Sequence, residues 1–246
     1  MNIMGHKIII TIETSGRLGS AAIGCEDEVI AETAFSGQMK HSSELFSTLE
    51  GLLRQVKASA NDIGQVYITA GPGSFTGLRI AVTAAKMLGF AQKTKIIAAD
   101  TMDVIAENAS KKIEKIPDTI CTVLDAKKNY FYAAVFDRVE GQWQKCFGTA
   151  IVTAEQMLNW LEENGKENVG LLGEGLVYYS GAFLSPLTFL LDESCWPATA
   201  GGLFRVGRRM AAAGLFADQL TLVPTYLRPP DAIVMRERRK NHNRKG

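Results

Sequence analysis

A chain of 246 residues, 46% hydrophobic and 22% charged, holds enough apolar material for one compact unit or two closely packed lobes. A net charge of +1 excludes an electrostatic nucleic-acid binder along the whole length, and no apolar run approaches the ~18–20 residues of a membrane span. The four cysteines, Cys25, Cys121, Cys146 and Cys195, form no C-x-x-C pair, and MNIMGHK lacks the long apolar stretch of a signal peptide, so the reading is a reducing cytoplasm.

Residues 7–13 (KIIITIE) form a β-branched run that predicts a buried strand, followed by the turn SGRLG. Strands are predicted at 20–25 and 28–35, with Glu26-Asp27 as the hairpin turn between them. Ser42 or Ser43 is placed to cap a helix whose apolar positions, Leu45, Phe46, Leu49, Leu52, Leu53 and Val56, share one face. A strand at 65–70 then runs into GPGSFTGLR and a helix ending near Gln92, followed by a strand at 95–99 and a helix at 101–110. These elements, of which the first six read βββαβα, make one α/β lobe ending near residue 116.

The pattern then restarts. At a constant offset of 112, residues 122–135 (TVLDAKKNYFYAAV) match residues 10–23 (ITIETSGRLGSAAI), placing Glu13 opposite Asp125. A helix at 154–163, a strand at 169–172 and a helix at 200–216 follow, and no element is assigned over 178–195. The division is an N-terminal lobe over 1–116, a degenerate duplicate over 117–235, and a tail over 236–246. That tail carries six Lys/Arg against one Glu, a net +5 that leaves −4 on the rest. A solvated, disordered terminus and a contact with RNA phosphates both fit it.

In GPGSFTGLR, Gly71 and Gly73 permit close backbone approach, and Ser74 or Thr76 can cap the helix, leaving free N–H groups at a positive dipole end. Together with Glu13, Thr14 and Ser15, the residues Gly71, Gly73, Ser74 and Thr76 make a candidate nucleotide or anion site. Strict phosphate motifs fail, because Gly77 is followed by Leu78 rather than Lys and Thr76 stands where the dinucleotide fingerprint needs glycine.

The helix that follows is apolar nearly all round, with Leu78, Ala81, Val82, Ala85, Leu88 and Gly89 on one stripe and Ile80, Ala84, Met87 and Ala91 on a second. Such a helix needs cover on two sides, which the sheet supplies on one and either a partner or the 42–56 helix on the other. The candidate partner face is Leu45, Leu49, Leu78, Ala81, Val82, Ala84, Ala85 and Leu88. The three histidines, His6, His41 and His242, form no metal-spaced cluster, and no nucleophile elbow is present, so neither catalytic nor metal-ligating residues are assigned.

Four features together resemble the TsaB (YeaZ) family: IETS at the end of the first strand, His41 ahead of a helix carrying Leu45, GPGSFTGLRI, and VPTYLRPPDA late in the chain. The resemblance implies the two-lobed actin/Hsp70/sugar-kinase fold and a non-catalytic subunit of the machinery that makes threonylcarbamoyladenosine on tRNA. It implies TsaD as the partner of the two N-lobe helices, a homodimer in its absence, TsaE as a further partner, and tRNA reached indirectly or through the tail. ATP and a metal ion belong, on this reading, to the partner subunits. The catalytic paralogue TsaD carries metal-binding histidines where this chain has AADTMDVIAEN, residues 98–108, without any. Glu13 stands where Asp is frequent in the family. The alternative is an independent nucleotide-dependent phosphotransferase of the same fold, built on Glu13, Asp125 and the 71–76 turn.

Overall fold

The computed structural model describes residues 7–38, 40–112 and 116–227. The first half builds strands β1 (Ile8–Glu13), β2 (Ser20–Cys25) and β3 (Glu28–Ala34), helix α1 (His41–Gln55), strand β4 (Ile63–Gly71), helix α2 (Phe75–Gln92), strand β5 (Lys95–Asp100) and helix α3 (Thr101–Lys112). The second half repeats the series with β6 (Thr119–Asp125), β7 (Phe131–Val139), β8 (Gln142–Val152), α4 (Ala154–Glu163), β9 (Val169–Leu172), α5 (Leu176–Phe183), β10 (Thr188–Leu190) and α6 (Ala200–Ala212).

Each half forms its own five-stranded sheet, in the orders β3-β2-β1-β4-β5 and β8-β7-β6-β9-β10. Pairing matches strand for strand: the first three strands of each unit are antiparallel, and the fourth and fifth run parallel to the first. The duplication is therefore complete in topology. The second lobe is not degenerate as expected, since β8, α5 and β10 fill the places left unassigned, and each unit is βββαβαβα. Glu13 pairs with Ser20 whereas Asp125 pairs with Phe131, so the second turn is one residue shorter and the constant offset fails beyond it.

Alternation along β1 divides the core. Ile8, Ile10 and Ile12 face α1 and α2 in one cluster, while Ile9 joins Tyr67, Ile97 and the second sheet in the other. Between the sheets lie α3 and α6. The last helix of the second unit, α6, packs on the first sheet, and α3, the last helix of the first unit, lies chiefly on the second. They are tied to each other where Glu107 accepts from Arg205 Nε at 2.9 Å and Arg209 Nη2 at 2.6 Å.

Residues 217–227 return to the first lobe as a strap lying antiparallel along α2. Ala217 N donates to Ile96 O at 2.8 Å, Lys86 Nζ reaches the carbonyls of Leu220 and Leu222 at 3.3 and 3.2 Å, and Thr225 N donates to Ala70 O at 2.7 Å. Packing thus assigns 200–227 to the first lobe, although chain order places it in the second.

Helix α1 begins at His41, one residue before the expected serine cap, and Lys40 provides no side-chain cap. Ser43 Oγ instead donates back to Lys40 O, and Glu44 accepts from Ser36 N at 2.7 Å.

Candidate functional site

Four elements of the first lobe meet at the turn of residues 14–19: β1, β2 and the starts of α1 and α2. Every glycine of the GPGSFTG stretch is set against this chain's own backbone. A side chain on Gly73 would meet Ser15 O at 2.5 Å, one on Gly77 would meet Thr14 O at 1.8 Å, and one on Gly71 would meet Thr225 O of the strap at 2.6 Å. Gly71 and Gly73 also have φ of +129° and +156°. Ser74 caps α2 by accepting from Gly77 N at 3.3 Å, and its own N–H donates to Ser15 O at 2.7 Å. Thr14 Oγ1 donates to Gly77 O at 2.8 Å. Thr14 and Ser15 are buried and Thr76 is exposed. The turn therefore brings Glu13, Thr14, Ser15, Gly71, Gly73 and Ser74 together, with carbonyl oxygens of Ser15 and Thr225 packed onto the glycines.

Glu13 ends β1 fully buried. Its Oε1 accepts from Ser15 N at 2.8 Å, from Thr69 Oγ1 at 2.9 Å and from Ser15 Oγ, while Oε2 has no partner among the described residues. Burial pushes its carboxyl up to about 7 against the pull of these donors, and the Glu174 carboxylate adds to the rise. Asp125, expected to face Glu13, is held in its own turn by Lys127, whose N–H and Nζ lie 2.6 and 2.7 Å from its two oxygens. Glu174 takes that place, in a Gly173-Glu174-Gly175 turn that follows β9 much as Pro72-Gly73 follows β4, which ends at Gly71. Glu174 Oε2 accepts from Arg17 N at 2.9 Å, and the Arg17 guanidinium sits 5.1 Å above the Tyr178 ring with Nη2 2.9 Å from its hydroxyl. The interlobe turn is thus lined by two carboxyls whose burial raises both.

His41 is buried at the start of α1. Its Nε2 donates to Gly16 O at 3.2 Å, and burial lowers its pKa, so it stays neutral and holds the turn. The histidine-free stretch expected to have lost a metal site is tied by ion pairs, with Lys145 Nζ 3.1 Å from Asp100 and 3.0 Å from Asp103. Among the described residues no group of three or more His, Cys, Asp or Glu is placed to hold a metal ion. His6, His242 and the 236–246 tail lie outside the described residues.

The predicted partner face needs correcting residue by residue. Leu45, Leu49, Leu78, Ala81, Val82, Ala84 and Ala85 are all buried inside the chain, and Leu88 is half-buried against the same core. The sheet covers one side of α2, while α1 and the strap flank it, so the alanines serve packing within the lobe. The large apolar side chains that α1 and α2 present to solvent, among polar residues, are Phe46, Met87 and Phe90, 54%, 55% and 59% exposed, with Ile80 half-buried. The run Ile80, Thr83, Met87, Phe90 at steps of three, four and three was the sequence signal for this outer face.

Two motifs far apart in sequence touch here. Tyr226, in VPTYLRPPDA, stacks on Phe75 at 5.0 Å between ring centroids, Arg79 Nε reaches its hydroxyl at 3.3 Å, and the Arg79 guanidinium lies 4.0 Å over Phe75. The part of that motif after Leu227 lies outside the described residues.

Two repeated lobes with strand order 3-2-1-4-5, exchanging their last helices, define a protein of the actin/Hsp70/sugar-kinase fold. The profile of the family TsaD, tRNA N6-adenosine threonylcarbamoyltransferase, matches residues 28–193. The chain belongs to that family, and within it to the TsaB (YeaZ) group. Relatives bearing the name tRNA threonylcarbamoyladenosine biosynthesis protein TsaB include that of Bacillus subtilis, 27% identical over 158 residues, 64% of this chain and 67% of that one. That of Buchnera aphidicola (subsp. Acyrthosiphon pisum) is 30% identical over 132 residues and is matched over 58% of its length, this chain over 54%. That of Haemophilus influenzae is 24% identical over 187 residues, 72% of this chain and 76% of that one. YeaZ from Pseudomonas aeruginosa superposes with a TM-score of 0.76 at 21% identity over 90% of this chain and all of that one, which speaks for the fold.

Proposed function

We propose that this chain is a non-catalytic subunit in the formation of threonylcarbamoyladenosine on tRNA, docking a TsaD-family partner through the outer face of α1 and α2. The observation that carries this reading is the exposure of Phe46, Met87 and Phe90 on a helix layer whose inner residues are already buried. In that assembly the partner transfers a threonylcarbamoyl group from its adenylate to N6 of adenosine 37, and this chain orients the partner. TsaE joins as a further subunit, in the cytoplasm. Against an independent nucleotide enzyme stand the carbonyl oxygens packed on the glycines, where a phosphate cradle presents N–H groups.

Co-expression with the TsaD-family protein of the same genome tests the proposal. A stable complex is expected, lost on joint Met87→Glu and Phe90→Glu substitution while the isolated chain melts as before. Co-purification that survives those changes overturns the docking face. Micromolar binding of ATP with Mg²⁺ and turnover by the isolated chain overturns the non-catalytic role.

A further inference from the structure

We infer that the C-terminal strap, residues 217–227, forms the second half of the docking surface, so that the TsaD-family partner sits across α2 and the strap together. The inference rests on the docking proposal above and extends it to an element that no helix pattern marks.

The strap carries Leu220 and Val223, 69% and 67% exposed, on the stretch that passes Gly89, Lys86 and Arg79 of α2. Their place is fixed by Lys86, which reaches the strap through the carbonyls of Leu220 and Leu222, and by Leu222, which is buried in the helix-layer core. Inward Leu222 between outward Leu220 and Val223 means that the strap presents these side chains because its anchor points the other way.

Area decides between a two-helix and a three-element surface. A stable interface takes about 800 Å² from each partner, somewhat over half of it apolar, or ~450 Å². At their exposures, Phe46, Met87 and Phe90 supply on the order of 350 Å². Leu220 and Val223 add on the order of 200 Å², which brings the face past the requirement. The strap also holds the two α2 cations nearest to it, Lys86 through backbone carbonyls and Arg79 through the Tyr226 hydroxyl. An apolar centre with its cations turned to hydrogen bonds at the border is the composition of an interface core and rim.

The test compares the full-length chain with two double variants, Leu220→Asp with Val223→Asp on the strap and Met87→Asp with Phe90→Asp on α2. Affinity for the TsaD-family partner is read by interferometry and self-association by light scattering. Each pair is expected to weaken partner binding at least about 30-fold. Strap variants that bind like the parent while the α2 variants fail overturn the strap inference and leave the docking proposal standing. If neither pair weakens binding, the docking proposal itself fails. Strap variants that lose self-association yet keep partner affinity make a second copy the occupant, which also overturns the inference. Because these changes can loosen the strap, hydrogen exchange on the unmodified chain gives an independent reading. Amides of residues 220–226 are expected to slow at least about 10-fold on complex formation, and unchanged exchange there refutes the strap's part.

Discussion

Glu13→Gln isolates the cost of a buried carboxylate. In the unfolded chain this carboxyl releases its proton near its ordinary value of 4.5, and in the folded chain it holds the proton up to about 7. Folded Glu13 therefore binds more protons than unfolded Glu13 between these values, so its contribution is fully favourable below pH 4.5 and is lost as pH rises through about 7. The gap is worth about 3 kcal/mol, of which roughly 2–3 kcal/mol falls between pH 5 and pH 8.5. Glutamine keeps an oxygen for the donors Ser15 and Thr69 and does not titrate. Urea unfolding across that range should show the parent losing stability relative to Glu13→Gln as pH rises, whatever other groups do to both. A difference between the two proteins that stays flat from pH 5 to 8.5 refutes the reasoning, because Glu13 would then share one protonation state throughout.

Gly77→Ala places a methyl against Thr14 O and Gly71→Ala against Thr225 O, so each should cost at least about 2 kcal/mol by thermal unfolding, against about 1 kcal/mol for Gly141→Ala, whose Cβ meets open space. Ala85→Glu buries a charge in the helix-layer core and should abolish soluble expression, whereas Met87→Glu should leave the melting temperature within about 2 °C of the parent. Truncation after Met235 removes six cations and one carboxylate, and should flatten the salt dependence of tRNA binding by the assembled complex; an unchanged slope separates the tail from RNA contact.

The sequence disclosed the duplication through its strongest strands and hid it through its weakest. The runs at β1 and β6 are buried on both faces and read as apolar blocks, whereas β10 has three residues and α5 eight, too short for a period to emerge. In β8 exposed and half-buried positions alternate, so no apolar run forms. On α2 the excess of apolar residues was correctly seen and wrongly placed outward, because the cover on one flank comes from a strap more than a hundred residues away with no periodicity of its own. Glu174 escaped because a lone acidic residue between glycines gains meaning only when Gly173-Glu174-Gly175 is superposed on Gly71-Pro72-Gly73. The GPGSFTGLR stretch looked like a cradle for an anion, and its glycines prove to be close contacts with Ser15, Thr14 and Thr225.

The crossing of α3 and α6 bears on how such a chain arose. Each sheet obtains its interlobe cover chiefly from the other unit's last helix. A half-length ancestor, one βββαβαβα unit alone, would leave one sheet face bare unless two copies traded their terminal helices. The present molecule has the topology of two such units that have traded their terminal helices within one chain. Neither half should fold when expressed alone, yet a single half could regain order by pairing with its own kind.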